Sequence, residues 1–131
     1  MGNHTKVNVK DEIDDMAPRF GLSPNLEARY GRVPLELENS GLSYFRIAPD
    51  FRQPFGHRHA EQEEVYVVLG GGGRIKLDDE VVNLRRWDAI RVPSDVMRCI
   101  EGGPEGIEYL AFGAPNTDNK DAEVVQGWWE V

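Results

Sequence analysis

The sequence predicts an all-β domain, a barrel or a sandwich, on three observations. Short runs rich in β-branched and aromatic residues recur at fairly regular spacing. Glycine, proline or acidic turn residues separate them, and no stretch carries a long amphipathic helical stripe. Many short strands with turn signals between them bury their apolar faces against one another rather than against helices.

Taken in order, residues 1–24 are polar and broken by Pro18, Gly21 and Pro24, which predicts an N-terminal arm with little regular structure beyond a helical turn near "KDEIDDM". From "LEARYGR" onward the pattern changes. "GLSYFRIAP" sets Leu42, Tyr44 and Arg46 against Ser43, Phe45 and Ile47, the two-residue period of a strand. "EVYVVLG" and "GRIKL" continue with β-branched and aromatic residues, and "LDDEVVNL" holds two acidic turn formers between apolar runs, as a hairpin does. "DAIRVP" and "GIEYLAFG" add two more short runs. The glycines Gly70 to Gly73 are followed by no lysine-serine pair or helix start, so they predict a strand turn or bulge rather than a phosphate cradle. After Gly113 the chain turns polar through "APNTDNKDAE" and ends on "VVQGWWEV", where Trp128 and Trp129 predict a packing anchor, with no basic residue adjoining them. The organisation is an arm over 1–24, a barrel over 25–115 and a tail over 116–131 packing on it.

Charge limits the function. Against 15 Lys and Arg stand 23 Asp and Glu, a formal net charge of −8 that repels phosphate backbones and anionic lipid surfaces. No nucleic-acid or membrane partner is expected. No segment approaches the ~20 apolar residues that span a bilayer, and the N-terminus lacks a signal-peptide core, so a cytoplasmic location is expected. The single cysteine, Cys99, excludes an internal disulfide framework and reads as a small apolar strand residue. No nucleophile-elbow pattern points to a hydrolase triad, and His4 lies in the polar arm without a role.

The stretch "FGHRHAEQEEVYVVLGG" concentrates the chemistry. In an extended chain residues i and i+2 point the same way, so His57 and His59 share one face of a strand. The polar residues that follow make the turn, and the next strand places Glu64, Tyr66 and Val68 on one face and Val65, Val67 and Leu69 on the other. Two imidazoles and a carboxylate from adjacent strands form a ligand set for Fe, Mn, Zn or Ni, with positions left for water or substrate.

These residues resemble the first motif of the cupin superfamily, His-x-His followed after three or four residues by Glu and after six more by Gly. Glu64 with Gly71 matches the longer spacing and Glu63 with Gly70 the shorter; Glu64 is preferred because it directly precedes the "VYVVL" strand. "LRRWDAIRVPSDVMRCIEGG" is similar to the second motif with three departures: Trp87 and Asp95 stand for its glycines and Arg98 for the histidine that is the usual fourth ligand. The resemblance covers about Ser43 to Phe112. It implies a small single-domain cupin with a double-stranded β-helix, or jelly-roll, barrel, a divalent metal on His57, His59 and Glu64, a small-molecule ligand, and a homodimer in which "NLEARYGRVPLEL" covers a sheet edge of the partner or lies on its own barrel.

Arg98 then decides between two functions. A guanidinium stays protonated and offers no lone pair, so it cannot replace the histidine. In one reading three ligands hold the metal and Arg98 pairs with the anionic group of a substrate, with Tyr66 as a second substrate contact and a proton donor, in an oxygenase or isomerase. In the other, Arg98 pairs with Glu64 and the barrel is a metal-free, non-catalytic small-molecule binder or sensor. Phe51 and Phe55 are expected in the core, and Cys99 is expected to face away from Arg98.

Overall fold

The computed structural model describes residues 2–114 and 122–130. Eight strands form one curled sheet: β1 (Leu26–Tyr30), β2 (Gly41–Ile47), β3 (Phe55–His59), β4 (Glu64–Leu77), β5 (Glu80–Arg85), β6 (Ala89–Val92), β7 (Arg98–Gly113) and β8 (Ala122–Gln126). Among the described residues helix is confined to α1 (Val9–Glu12) and a 3₁₀ turn at Ala17–Phe20. Asn8 caps α1 by accepting from the backbone N–H groups of Lys10 and Asp11, which is why the one helical turn of the arm forms there. The all-β jelly-roll architecture expected from the sequence is the one observed. No helix among the described residues is long and apolar enough to cross a membrane.

Strands β4 and β7 run antiparallel along almost their whole lengths and form the spine of the barrel. Along one edge β7 pairs β2, which pairs β1; along the other it reaches β3, which pairs β8. β5 and β6 complete the β4 side, the first through a two-residue turn at Asp78 and Asp79. Leu77 and Glu80 face each other across that turn, and Asp78 takes a left-handed backbone at φ 50° that Asp tolerates better than most residues. Within segment 25–37, β1 pairs in register with β2 of the same chain.

The two apolar runs around the glycines are one continuous strand, not two. The glycines do not end β4; they bend it, with register shifts against β7 between Val68 and Gly70 and between Gly71 and Gly73. Gly71 has φ 63°, and a Cβ there would stand 2.0 Å from the Gly106 carbonyl oxygen, so the two spine strands can approach only without side chains. The core is built from inward residues of both strands, with Val68, Ile75 and Ile107 almost wholly out of solvent.

The tail adds β8 to the free edge of β3, residue against residue from Phe55 and Gln126 to His59 and Ala122. Beyond it Trp129 packs at 6% exposure beneath the Arg52 guanidinium, 4.2 Å from the ring centre, and the Lys76 ammonium lies 4.4 Å from Trp128. No basic neighbour is near these tryptophans in sequence, yet the fold brings cations to both from other strands. The polar stretch 115–121 lies outside the described residues.

Candidate functional site

β3 and β4 face each other through the barrel mouth, and β7 runs beneath β3 so that His57 and Arg98 are direct cross-strand partners. A cavity of about 500 Å³ opens at this end, lined by His57, His59, Glu64, Tyr66 and Arg98 together with an aromatic wall. The alternation read from the sequence holds: Tyr66 and Val68 are buried on the Glu64 face, while Val65, Val67 and Leu69 are less buried on the other.

One oxygen organises the centre. Glu64 Oε1 lies 3.1 Å from His59 Nε2 and 3.6 Å from His57 Nε2. It accepts the Tyr66 hydroxyl proton at 2.8 Å and stands 3.3 Å from Arg98 Nη2. Burial alone would raise the Glu64 carboxyl. Hydrogen bonds from both imidazoles, the charge of His57 and the Tyr66 hydroxyl outweigh it and hold the group well below the usual carboxylate range. Glu64 is therefore an anion throughout the physiological range. Glu63 points elsewhere, to Arg91 at 3.2 Å on the exposed outer face.

Tyr66 is nearly inaccessible, and burial followed by the Glu64 charge pushes its phenol well above the ordinary value. Its oxygen also accepts from Arg98 Nε at 3.2 Å, so the phenol spans the guanidinium and the carboxylate. Arg98 is wholly buried. Its Nη1 donates to the carbonyls of Val96 at 2.9 Å and Ser94 at 3.3 Å, and its Nη2, within ion-pair reach of Glu64, is not aligned for a hydrogen bond. Arg98 thus points into the barrel, toward Glu64 and the histidines. Cys99 points the other way, with its thiol donating to the Gln53 carbonyl, and burial pushes it up to about 12. Phe55 lines the cavity, whereas Phe51 packs on the core.

The donor set fits a divalent ion. Ligand bonds of about 2.0–2.2 Å put neighbouring donor atoms roughly 3–3.5 Å apart. The two histidine-to-carboxylate separations fall close to that range, and all three donor atoms lie within 4.8 Å of one another. Among the described residues this is the one cluster of three such donors.

The sequence reading did not single out Arg32, Tyr30, Phe45 or Tyr109, which also line the cavity. Tyr30, Phe45 and Tyr109 sit on strands whose alternation announces inward residues, so a longer list of pocket aromatics was open to the pattern. Arg32 lies in a loop, where no periodicity reports orientation.

A curled jelly-roll sheet with a His, His, Glu cluster at its mouth is the arrangement of the cupin fold. No protein-family model matches the chain. It is 30% identical over 128 residues to the uncharacterized protein MJ1618 of Methanocaldococcus jannaschii, a match spanning 90% of this chain and 95% of that one. Among solved structures it is similar to a cupin protein from Bacteroides fragilis (TM-score 0.71, 23% identity, 92% of this chain and 91% of the other). It is similar also to the polyketide cyclase RemF from Streptomyces resistomycificus (TM-score 0.73, 18% identity, 96% and 87%). The chain belongs to the same family as the archaeal protein, and its fold is that of the cupins.

Proposed function

We propose that the chain is a metal-dependent enzyme that holds a divalent ion on His57, His59 and Glu64 and acts on a small anionic organic molecule, as an oxygenase or isomerase. The observation that carries this reading is the convergence of both Nε2 atoms on one ionised carboxylate oxygen at the mouth of a ligand-sized cavity. When bound, the ion supplies Lewis acidity or dioxygen activation. The chain's own residues do the rest. Arg98 and the Tyr66 hydroxyl fix the rotamer of Glu64 and keep it ionised. Tyr66 holds a proton at its hydroxyl, hydrogen-bonded to Glu64 and out of bulk water, and is the group from which a proton could be delivered beside the ligand. With the ion in place the positive charges of the cavity exceed its one carboxylate, which selects an anionic ligand.

A second reading is favoured by one contact, Arg98 Nη2 at 3.3 Å from Glu64 Oε1. The guanidinium already supplies a positive charge to the buried carboxylate, so a metal-free barrel that binds or senses a small molecule is also self-consistent. Elemental analysis of protein purified without a histidine tag and incubated with Mn, Fe, Zn or Ni separates the two. Close to one ion per chain, lost in His57→Ala, is expected. Protein that stays metal-free after that incubation overturns the first reading and leaves the second.

A further inference from the structure

Three buried side-chain polar atoms among the described residues have no hydrogen-bond partner: Arg32 Nε, His57 Nδ1 and Arg98 Nη2. All three belong to residues lining the same cavity. Buried polar groups are nearly always paired, so the two guanidinium nitrogens call for acceptors from whatever occupies the cavity, while the partner of His57 Nδ1 depends on its tautomer. Arg98 is nonetheless largely committed, to Tyr66, Ser94, Val96 and the Glu64 charge. Arg32 is not. Arg29 and Arg46 pair with Glu27, Arg52 and Arg74 with Glu101, Arg58 with Glu123 and Arg91 with Glu63, while the Arg32 guanidinium, like those of Arg19 and Arg85 on the exposed surface but here at a cavity, has no ion pair or side-chain hydrogen bond to any described residue.

Its surroundings say what it awaits. Among the described residues the charged side chains lining the cavity, beyond the histidines, are Arg32, Arg98 and Glu64, two cations against one anion, in a protein of net charge −8. Four rings connect the Arg32 end to the Glu64 centre. Tyr30, half exposed at the mouth, meets Phe45 edge-on at 5.8 Å; Phe45 stacks on Tyr109 at 5.3 Å; Tyr109 meets the buried Tyr66 at 5.6 Å. Gly31, whose N–H donates to the Leu42 carbonyl at 2.7 Å and where a Cβ would stand 2.8 Å from that oxygen, holds the backbone between Tyr30 and Arg32 tightly against β2.

We propose that Arg32 is the anion-binding residue of this cavity and that its ligand is a carboxylate with a flat apolar body. The carboxylate pairs with Arg32 at the outer end, the body lies along the Tyr30, Phe45 and Tyr109 rings, and the far end reaches His57, His59 and Glu64. A planar guanidinium matches a carboxylate, and an aromatic wall favours a flat ligand. The inference rests on the barrel cavity being the ligand site and does not depend on the ion.

The test is a binding titration of benzoate, 4-hydroxybenzoate, cinnamate and 3-phenylpropionate, each beside its uncharged amide, followed by ligand-observed NMR up to ~5 mM. At least one acid is expected to bind about tenfold or more tightly than its amide. Arg32→Met removes that preference while the amide still binds, and Arg32→Lys, which keeps the charge without the fork, restores part of it. Thermal melting guards against a purely structural effect: losing a buried unpaired donor leaves the melting temperature of Arg32→Met unchanged or raised. Equal binding of acid and amide, an undiminished preference in Arg32→Met, or no acid bound at the highest concentration overturns the proposal. Running the same series on wild type stripped of metal with a chelator separates it from the metal reading, because the acid preference is set by Arg32 and persists without the ion.

Discussion

Glu27 and Glu64 are both drawn largely out of solvent, and their surroundings differ in kind. Glu27, on β1, is 7% exposed and accepts from three cations, Lys10 at 2.7 Å, Arg29 at 2.6 Å and Arg46 at 3.1 Å. Lys10 and Arg46 remain about half exposed, so the cluster keeps contact with water and ties the arm to the outer face of the sheet. Glu64 has one cation, wholly buried, and three groups that carry no fixed charge of their own, two imidazoles and a phenol. A carboxylate saturated by full charges is finished as structure. One met by imidazoles is still a ligand, because their nitrogen lone pairs can be turned to an ion.

The largest difference should come from deleting each carboxylate. Glu64→Leu strands the Arg98 guanidinium in the interior, and breaking one partner of a buried pair costs about 3 kcal/mol or more. Glu27→Leu leaves cations that can turn to water and costs about 1 kcal/mol. Urea unfolding of the two variants gives the comparison directly. Adding Arg98→Met to Glu64→Leu should recover most of the loss, as replacement of a whole buried pair by apolar groups usually does. A Glu64→Leu loss no larger than that of Glu27→Leu would mean that Tyr66 and the two carbonyls suffice for Arg98.

Next in size is a gain. Arg98 faces His57 across β3 and β7, so Arg98→His places an imidazole where a fourth ligand would stand and removes a repelling charge. Affinity for Zn or Mn, measured by chelator competition, should rise about tenfold or more. The matching change at the other carboxylate, Arg46→His, should leave metal affinity where it was. No gain in Arg98→His would show that a side chain at this position cannot reach the donor set.

Much of this was legible in the sequence, and the parts that were not share a cause. Alternation at the start of β4 separated the Glu64, Tyr66 and Val68 face from the other, and the spacing of His57, His59 and Glu64 was enough to bring them together, because a two-residue period and one short turn fix their positions. Arg98 could be placed from the similarity of its strand to a known motif. The glycine run was read as a strand turn or bulge and is a bulge within β4; the reason glycine is needed there appears only when the Gly106 carbonyl is seen closing on Gly71. β8 pairs through its backbone with mostly exposed side chains, so no alternation announces it. Arg32 and the cations over Trp128 and Trp129 acquire their roles from strands and loops distant in sequence, which local patterns do not report.

The smallest effect concerns acid. Burial raises the Glu27 carboxyl, but hydrogen bonds from Lys10, Arg29 and Arg46 outweigh it and bring the group from its ordinary 4.5 down to about 2. A group depressed on folding contributes stability that is complete above about pH 4.5 and disappears as pH falls through about 2. Because Lys10 and Arg46 are half in water, the contribution is discounted to about 1 kcal/mol. Glu64 is also depressed and adds to the acid sensitivity of the whole protein, so the Glu27 share must be taken as a difference between wild type and Glu27→Gln, in which Glu64 is common to both. Urea unfolding at pH 6, 4, 3 and 2 should show wild type more stable at pH 6 by about 1 kcal/mol and the gap narrowing to nothing toward pH 2. A gap that stays constant with pH would mean that the three cations hold Glu27 by packing and geometry rather than by its charge, and the contrast with Glu64 would then rest on the buried guanidinium alone.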